Sequence, residues 1–194
     1  PIASSAASDV YKRQVVAAAI CVERYWSLRG EFVIPAELVN LTVAQLMRVS
    51  ADQQASEQLT KHSPLGRILV ALSAADVVDL EVARETVLGS VAHDLETYLT
   101  ALGIIALITP LLGILGTVVG MIDVFTSVVS ASGDTAVLAG GISTALITTA
   151  AGLSIAIPTL IAHRMLLRKV DALLVELDET SRHWASRLSS ERHK

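Results

Sequence analysis

The chain has 194 residues, 52% hydrophobic and only 18% charged, with mean hydropathy +0.56; soluble domains carry about 25% charged residues. A net charge of -4, a pI near 5.7 and 4% aromatic residues give neither a basic footprint nor a stacking platform for nucleic acid. The single cysteine, Cys21, excludes an internal disulfide and reads as a small packing hydrophobe. The apolar excess is gathered in long blocks, so the chain divides by membrane depth rather than into soluble domains.

Residues 1–14 are rich in Ser and Ala and read as an unstructured or aberrant N-terminus. Lys12 and Arg13 then precede the apolar run Val15 to Val22, which is too short to span a bilayer. Residues 15–23 are expected to be the remnant of a first transmembrane helix. The order of a basic region before an apolar one also suits a signal peptide, but Glu23-Arg24-Tyr25-Trp26 offers no small-residue cleavage site.

Residues 24–98 read as a cytoplasmic helical domain. Pro35 and Glu37 open a segment carrying Leu38, Leu41, Leu46 and Met47; Ser63-Pro64 supplies an N-cap with proline at the first helical position, ahead of Ile68, Leu69 and Leu72. From Leu80 onward no Gly-Pro or Asn-Gly break intervenes before the membrane. Glu81 with Arg84 and Glu85, then Val87, Leu88, Val91 and Leu95, predict a helix that continues straight into the next span.

Two blocks have the length to cross a hydrocarbon core of about 30 Å: residues 99–125, transmembrane helix 2, and residues 137–163, transmembrane helix 3. The connection between them, residues 126–136, has no Lys or Arg, whereas Arg164, Arg168 and Lys169 follow the second span and Arg24 and Arg29 follow the first apolar run. Basic residues stay inside, so the connection is a periplasmic loop and the C-terminus is cytoplasmic. Tyr25 and Trp26 stand where an interfacial aromatic belt is expected. Residues 164–194 predict a cytoplasmic C-terminal helix, whose stripe Leu166, Val170, Leu173, Leu177, Thr180, Trp184 and Leu188 calls for another helix against it. Packing against the helix before Leu99 is preferred to a dedicated coiled coil, because the stripe includes a Thr and is short. The fold class is therefore all-α integral membrane, with three transmembrane helices, the first of them truncated, and long helices extending into a helical cytoplasmic domain.

Inside the spans, Gly113, Gly116 and Gly120 recur at steps of three and four and allow a neighbouring helix to approach closely. Thr117 lies beside them; taken alone, such a hydroxyl bonds the carbonyl four residues back, here Gly113. The second span holds Ser143, Thr144, Thr148, Thr149, Ser154 and Thr159, with Gly140, Gly141 and Gly152. Lipid rewards none of these, so many must face other helices. A rise of 1.5 Å per residue puts Thr117 roughly 12 Å and Thr149 roughly 17 Å from the outer ends of their helices, at comparable depth. Pro110 and Pro158 free the carbonyls of Ala106 and Ser154, either as tolerated kinks or as an opening toward the cytoplasm.

No Asp, Glu, Lys or Arg occupies the middle of either span. The chain alone offers hydroxyls and carbonyls, none of which holds a proton near neutral pH, so a proton path would need a carboxylate from elsewhere. Asp123 lies near the outer surface, and His163 stands at the inner boundary, where snorkelling is the default. No His, Asp, Glu or Cys set has nucleophile or ligand spacing at one depth, so no catalytic residue, metal or cofactor is expected.

Ser63-Pro64-Leu65, Leu95-Glu96-Thr97-Tyr98-Leu99, the run from Thr109 through Pro110 and Gly113-Ile114-Leu115-Gly116-Thr117 to Gly120-Met121-Ile122, and the run Gly141-Ile142-Ser143-Thr144 through Thr148-Thr149-Ala150-Ala151-Gly152 to Pro158 closely resemble the MotA/TolQ/ExbB proton-channel family, the ExbB branch most nearly. The resemblance covers Val15 to Leu188 in order. It implies a homopentamer in the bacterial inner membrane, enclosing the helices of a single-span partner of the ExbD or TolR type that supplies a membrane Asp. It further implies that proton flow moves an energy transducer of the TonB or TolA type, driving TonB-dependent outer-membrane transport or, in the TolQ manner, envelope maintenance. Carried over by position, the pore-lining threonines fall on Thr117 and Thr149, with Thr148 and Thr144 beside them. Many relatives have Glu where this chain has Thr144. MotA itself is a poorer match, since flagellar stators have four membrane helices and a larger charged cytoplasmic domain. A passive helical scaffold, in which the glycines and threonines only pack, is the reading from another class.

Overall fold

The computed structural model describes residues 19–130 and 135–192, with side chains over 19–126 and 139–192. The expected N-terminal segment 1–14, positions 15–18 of the first apolar run and loop positions 131–134 lie outside the described residues. Every regular element among the described residues is helical: α1 (residues 19–27), α2 (Gly30–Val33), α3 (Ala36–Val39), α4 (Val43–Ala51), α5 (Gln53–His62), α6 (Pro64–Ala74), a 3-10 turn at Val77–Asp79, α7 (Leu80–Glu96), α8 (Leu99–Ser130) and α9 (Thr135–Arg192). Two compact units result, one containing Tyr98–Met165 with the described residues up to Glu23, the other Arg24–Thr97 with Leu166 onward.

In the second unit the turns are set by side chains that satisfy helix ends. Ser63 accepts from the Gly66 amide at 2.8 Å and Pro64 takes the first helical position, so α6 starts where its unpaired amides find a partner. The single segment expected from Pro35 onward is instead two helices. Thr42 and Gln45 form a capping box, Gln45 N–H donating to Thr42 Oγ1 at 3.3 Å and Thr42 N–H to Gln45 Oε1 at 2.9 Å, and this restarts the helix at Val43. Gly66 cannot be larger: a Cβ there would stand 2.5 Å from the Leu59 carbonyl oxygen.

α6 is the centre of this unit and packs against α4, α5 and α7. Leu46, Leu65, Ile68, Leu69 and Leu72 are wholly buried in its core. The far part of α9 brings its own stripe, Leu166, Val170, Leu173, Leu177, Trp184 and Leu188, all buried. Ser181 is buried beside Trp184 where the heptad-like reading places Thr180, which is half-buried. Arg192 then donates to Ser73 O at 2.7 Å and to Ala75 O, pairing carbonyls left open at the end of α6.

Arg84 ties α7 to α9. It is 1% exposed, holds Glu81 through two bonds of 2.6 and 3.0 Å, and pairs with Asp178, which also accepts from Arg182 Nε at 3.0 Å. The Arg84 guanidinium is held above its usual range, chiefly by the Glu81 hydrogen bond.

The expected unbroken passage from α7 into the membrane does not occur. Thr97 N–H turns back to Asp94 O, Thr97 Oγ1 to His93 O at 3.0 Å, and Tyr98 adopts φ 66, a left-handed conformation that ends one helix before α8 begins at Leu99. α9, by contrast, runs 58 residues without interruption. α8 also continues past Phe125 to Ser130, and α9 resumes at Thr135, so helix occupies much of the expected 126–136 loop. No proline or glycine stands between Phe125 and Ser130 to stop it.

Candidate functional site

α8 and the first part of α9 lie against each other along a seam in the first unit. Positions 103, 106, 109, 113, 116 and 120 of α8 recur at steps of three and four, the spacing of one helical face. Ala106, Thr109 and Gly113 are buried there, as are Ala145, Gly152, Ile155, Ala156 and Thr159 from α9. Leu107, Leu111, Ile114, Val118, Leu146, Ile147 and Ile157 face outward and are exposed.

Glycines bring the two backbones together. A Cβ on Gly113 would lie 3.2 Å from Thr149 Cα, and one on Gly152 would lie 3.1 Å from Thr109 O and 3.3 Å from Gly113 Cα. At these levels backbone meets backbone. Gly116 is opposite the Thr148 methyl, at 2.8 Å from a would-be Cβ, and Gly120 is opposite Ala145 Cβ at 3.1 Å. A side chain on Gly141 would collide with Val124.

The hydroxyls follow from this closeness. Thr149 Oγ1 donates across the seam to Gly113 O at 2.8 Å. The Gly113 carbonyl, predicted as the partner of Thr117, is thus bonded from the other helix, and Thr117 Oγ1 donates instead to Ile114 O at 2.6 Å, three residues back. Thr148 donates to Thr144 O and Thr144 to Gly140 O, both at 3.0 Å. Thr117, Thr148 and Thr149 are half-buried, Thr144 exposed. Pro110 and Pro158 sit within α8 and α9, which continue through both.

Toward the N-terminal end of α8 the seam holds three further polar groups. Thr109 and Thr159 are buried, donating to Ile105 O at 2.6 Å and Ile155 O at 2.7 Å. Extending the Gly113 face by one turn toward the α8 N-terminus reaches Thr109, so the spacing signal for it was present. His163 does not snorkel: its ring lies against Gly103, where a Cβ would meet Nε2 at 2.8 Å, and its Nδ1 is fully buried. The glycine at 103 leaves a notch that an imidazole fills.

No charged residue occurs from Leu99 to Ile122 or from Ala139 to Ala162. Among the described residues no three His, Cys, Asp or Glu side chains converge to hold a metal ion. The arrangement is thus a close-packed pair of apolar helices with a line of neutral hydroxyls.

Residues 43–179, well over half of the chain, match the MotA/TolQ/ExbB proton channel family. The chain belongs to that family. Among its relatives, biopolymer transport protein exbB1 of Vibrio cholerae is 40% identical over 90 residues, covering 45% of this chain and 40% of that protein. Biopolymer transport protein ExbB of Helicobacter pylori strain J99 is 47% identical over 81 residues, covering 41% and 56%. A putative biopolymer transport protein ExbB-like 2 of Helicobacter pylori strain 26695 is 37% identical over 81 residues, covering 41% and 54%. The matches thus span about half the length of these relatives. As a MotA/TolQ/ExbB member the chain is an all-α membrane protein. In the two helices long and apolar enough to cross a bilayer, only 22% and 28% of the most apolar stretch is buried, which suits lipid-facing spans rather than the core of a soluble domain.

Proposed function

We propose that this chain is an ExbB-like proton-channel subunit of a motor in the bacterial inner membrane, with no covalent catalysis of its own. It assembles as a homopentamer with its C-terminus in the cytoplasm. The pentamer surrounds a single-span partner of the ExbD or TolR type, whose membrane Asp faces Thr117 and Thr149, with Thr148 and Thr144 extending the path outward. Gly113, Gly116, Gly120 and Gly152 keep the α8–α9 seam tight, while Pro110 and Pro158 leave carbonyls open at the inner half. Proton flow would then drive a TonB-like transducer and energise TonB-dependent outer-membrane transport.

The observation that carries this reading is the chemistry of the seam: hydroxyls at comparable depth in two stretches, Leu99 to Ile122 and Ala139 to Ala162, that contain no carboxylate to hold a proton. Such a site is half of a proton relay and requires a second chain for the other half. The names of the relatives, biopolymer transport proteins, support it. The test is proton flux in liposomes holding the chain with and without a single-span partner that carries a membrane Asp. Partner-dependent flux is expected. One observation favours a passive scaffold: the Thr149 hydroxyl is used in binding α8 to α9. Assembly with the partner but no flux would establish that reading instead.

A further inference from the structure

We infer that His163 is the proton-accepting group at the cytoplasmic end of the α8–α9 seam, a positioning and relay residue for protons that have passed the threonine level; this rests on the proton-channel reading above. The buried hydroxyls of the seam are satisfied. Thr109, Thr149 and Thr159 each donate to a carbonyl within 2.6 to 2.8 Å. His163 Nδ1 has no hydrogen-bond partner although it is fully buried. A buried ring nitrogen with nothing to bond carries the desolvation cost of an unmade bond, and natural structures keep few such groups without a use.

Its placement is specific. Thr149, Gly152, Ala156, Thr159 and His163 follow one another on α9 at steps of three and four, so the imidazole ends the same face that holds the threonine level. Thr159 to His163 is one helical turn, about 6 Å. Gly103 opens the notch in α8 that lets the ring turn inward rather than toward headgroups. Facing it, α8 contributes no charged side chain from Leu99 to Ile122; α9 contributes Arg164, the next residue; Tyr98, just before α8, and Cys21 and Glu23 of α1 are the other titratable groups of this unit toward the inner side. No other side chain on this face of the seam titrates between pH 5 and 8.

The step balances. Neutral imidazole takes an incoming proton on one ring nitrogen and releases the proton of the other to cytoplasmic water, returning to its starting charge as the alternate tautomer, which ring rotation or exchange resets.

The experiment is proton flux in liposomes containing the full-length chain with its single-span partner, measured against inner-side pH. Wild type is expected to show an inflection in the histidine range. His163→Gln should assemble, lose about tenfold or more of the flux, lose the inflection, and recover flux when imidazole is added on the inner side. His163→Asn serves as the second variant if the Gln form assembles poorly. Unchanged flux and pH profile in an assembled variant overturns the role of His163 while leaving the channel reading intact. A loss that imidazole does not rescue, with the inflection retained in the residual flux, also overturns it. No partner-dependent flux in wild type overturns both.

Discussion

Thr149 Oγ1 on α9 donates to the Gly113 carbonyl on α8 at 2.8 Å, a bond between consecutive helices made by residues 36 apart in sequence. It makes the second threonine both a fastener and a candidate relay. Thr149→Val keeps the shape and removes the donor, and interhelical bonds of this kind in membranes contribute about 0.6 kcal/mol. Thermal unfolding in detergent should therefore shift slightly, while partner-dependent proton flux is lost. Thr149→Ser should keep both.

Thr117 separates the two roles more cleanly, because its hydroxyl bonds only its own helix, at Ile114 O. Thr117→Val is expected to leave stability within about 0.5 kcal/mol and assembly intact, yet abolish flux. Full flux in Thr117→Val, with the protein assembled, removes this residue from the path.

Glycine substitutions should split by what a new methyl meets. At Gly113 it meets the Thr149 backbone at 3.2 Å, and at Gly152 it meets Thr109 O at 3.1 Å, so Ala at either position forces the helices apart at about 1–3 kcal/mol. Gly89 in α7 has nothing within 4 Å, and Gly89→Ala should stabilise by about 1 kcal/mol through helix propensity. Unfolding midpoints of the three variants, compared in one detergent, check the contrast.

The Arg84 network predicts acid sensitivity in the unit built from Arg24–Thr97 and Leu166 onward. The Arg84 hydrogen bond holds Glu81 below the usual carboxylate range. At Asp178 burial pushes upward, but the bonds from Arg84 and the Arg182 charge outweigh it and the net direction is also down. Groups lowered on folding stabilise the native state above their unfolded values near 4, and that contribution is lost as pH falls through the lowered values. Hydrogen exchange in residues 80–96 and 166–192 should rise together below about pH 4. Arg84→Ala should produce the same loosening at neutral pH. Its cost should be about 2 kcal/mol, at the low end for a broken buried pair, because Asp178 and Glu81 keep 32% and 58% of their side-chain surface exposed.

Tyr98 sets the break between α7 and α8 with φ 66. Asn or Gly adopts that conformation readily, whereas a β-branched residue resists it, so Tyr98→Val should destabilise by about 1–2 kcal/mol relative to Tyr98→Asn. Near-equal unfolding midpoints for the two would show that the left-handed turn is not retained.

The two long apolar helices, the Ser63 cap and the face of the C-terminal stripe were legible because each rests on local periodicity or on a cap residue beside its own helix. The break at Tyr98 was not: neither Thr97 nor Tyr98 is a breaker by type, and the turn depends on a left-handed tyrosine that propensity disfavours. Arg84 entered the sequence reading only as a helical neighbour of Glu81, since Asp178 lies 94 residues away and only packing brings it near. In the seam, glycine spacing pointed to close approach. The acceptor of Thr117 was misread because a carbonyl on one helix was bonded from another, which no single-helix rule foresees.

The seam hydroxyls of Thr117, Thr148 and Thr149 have each given their only proton to a carbonyl. What remains on each oxygen is lone-pair capacity alone. An arriving carboxylic acid can donate to such an oxygen at once, while a carboxylate finds no donor unless a threonine first swings away from its carbonyl. As they rest, these three oxygens can accept a hydrogen bond from the neutral form of an acid and have no donor to offer the charged one.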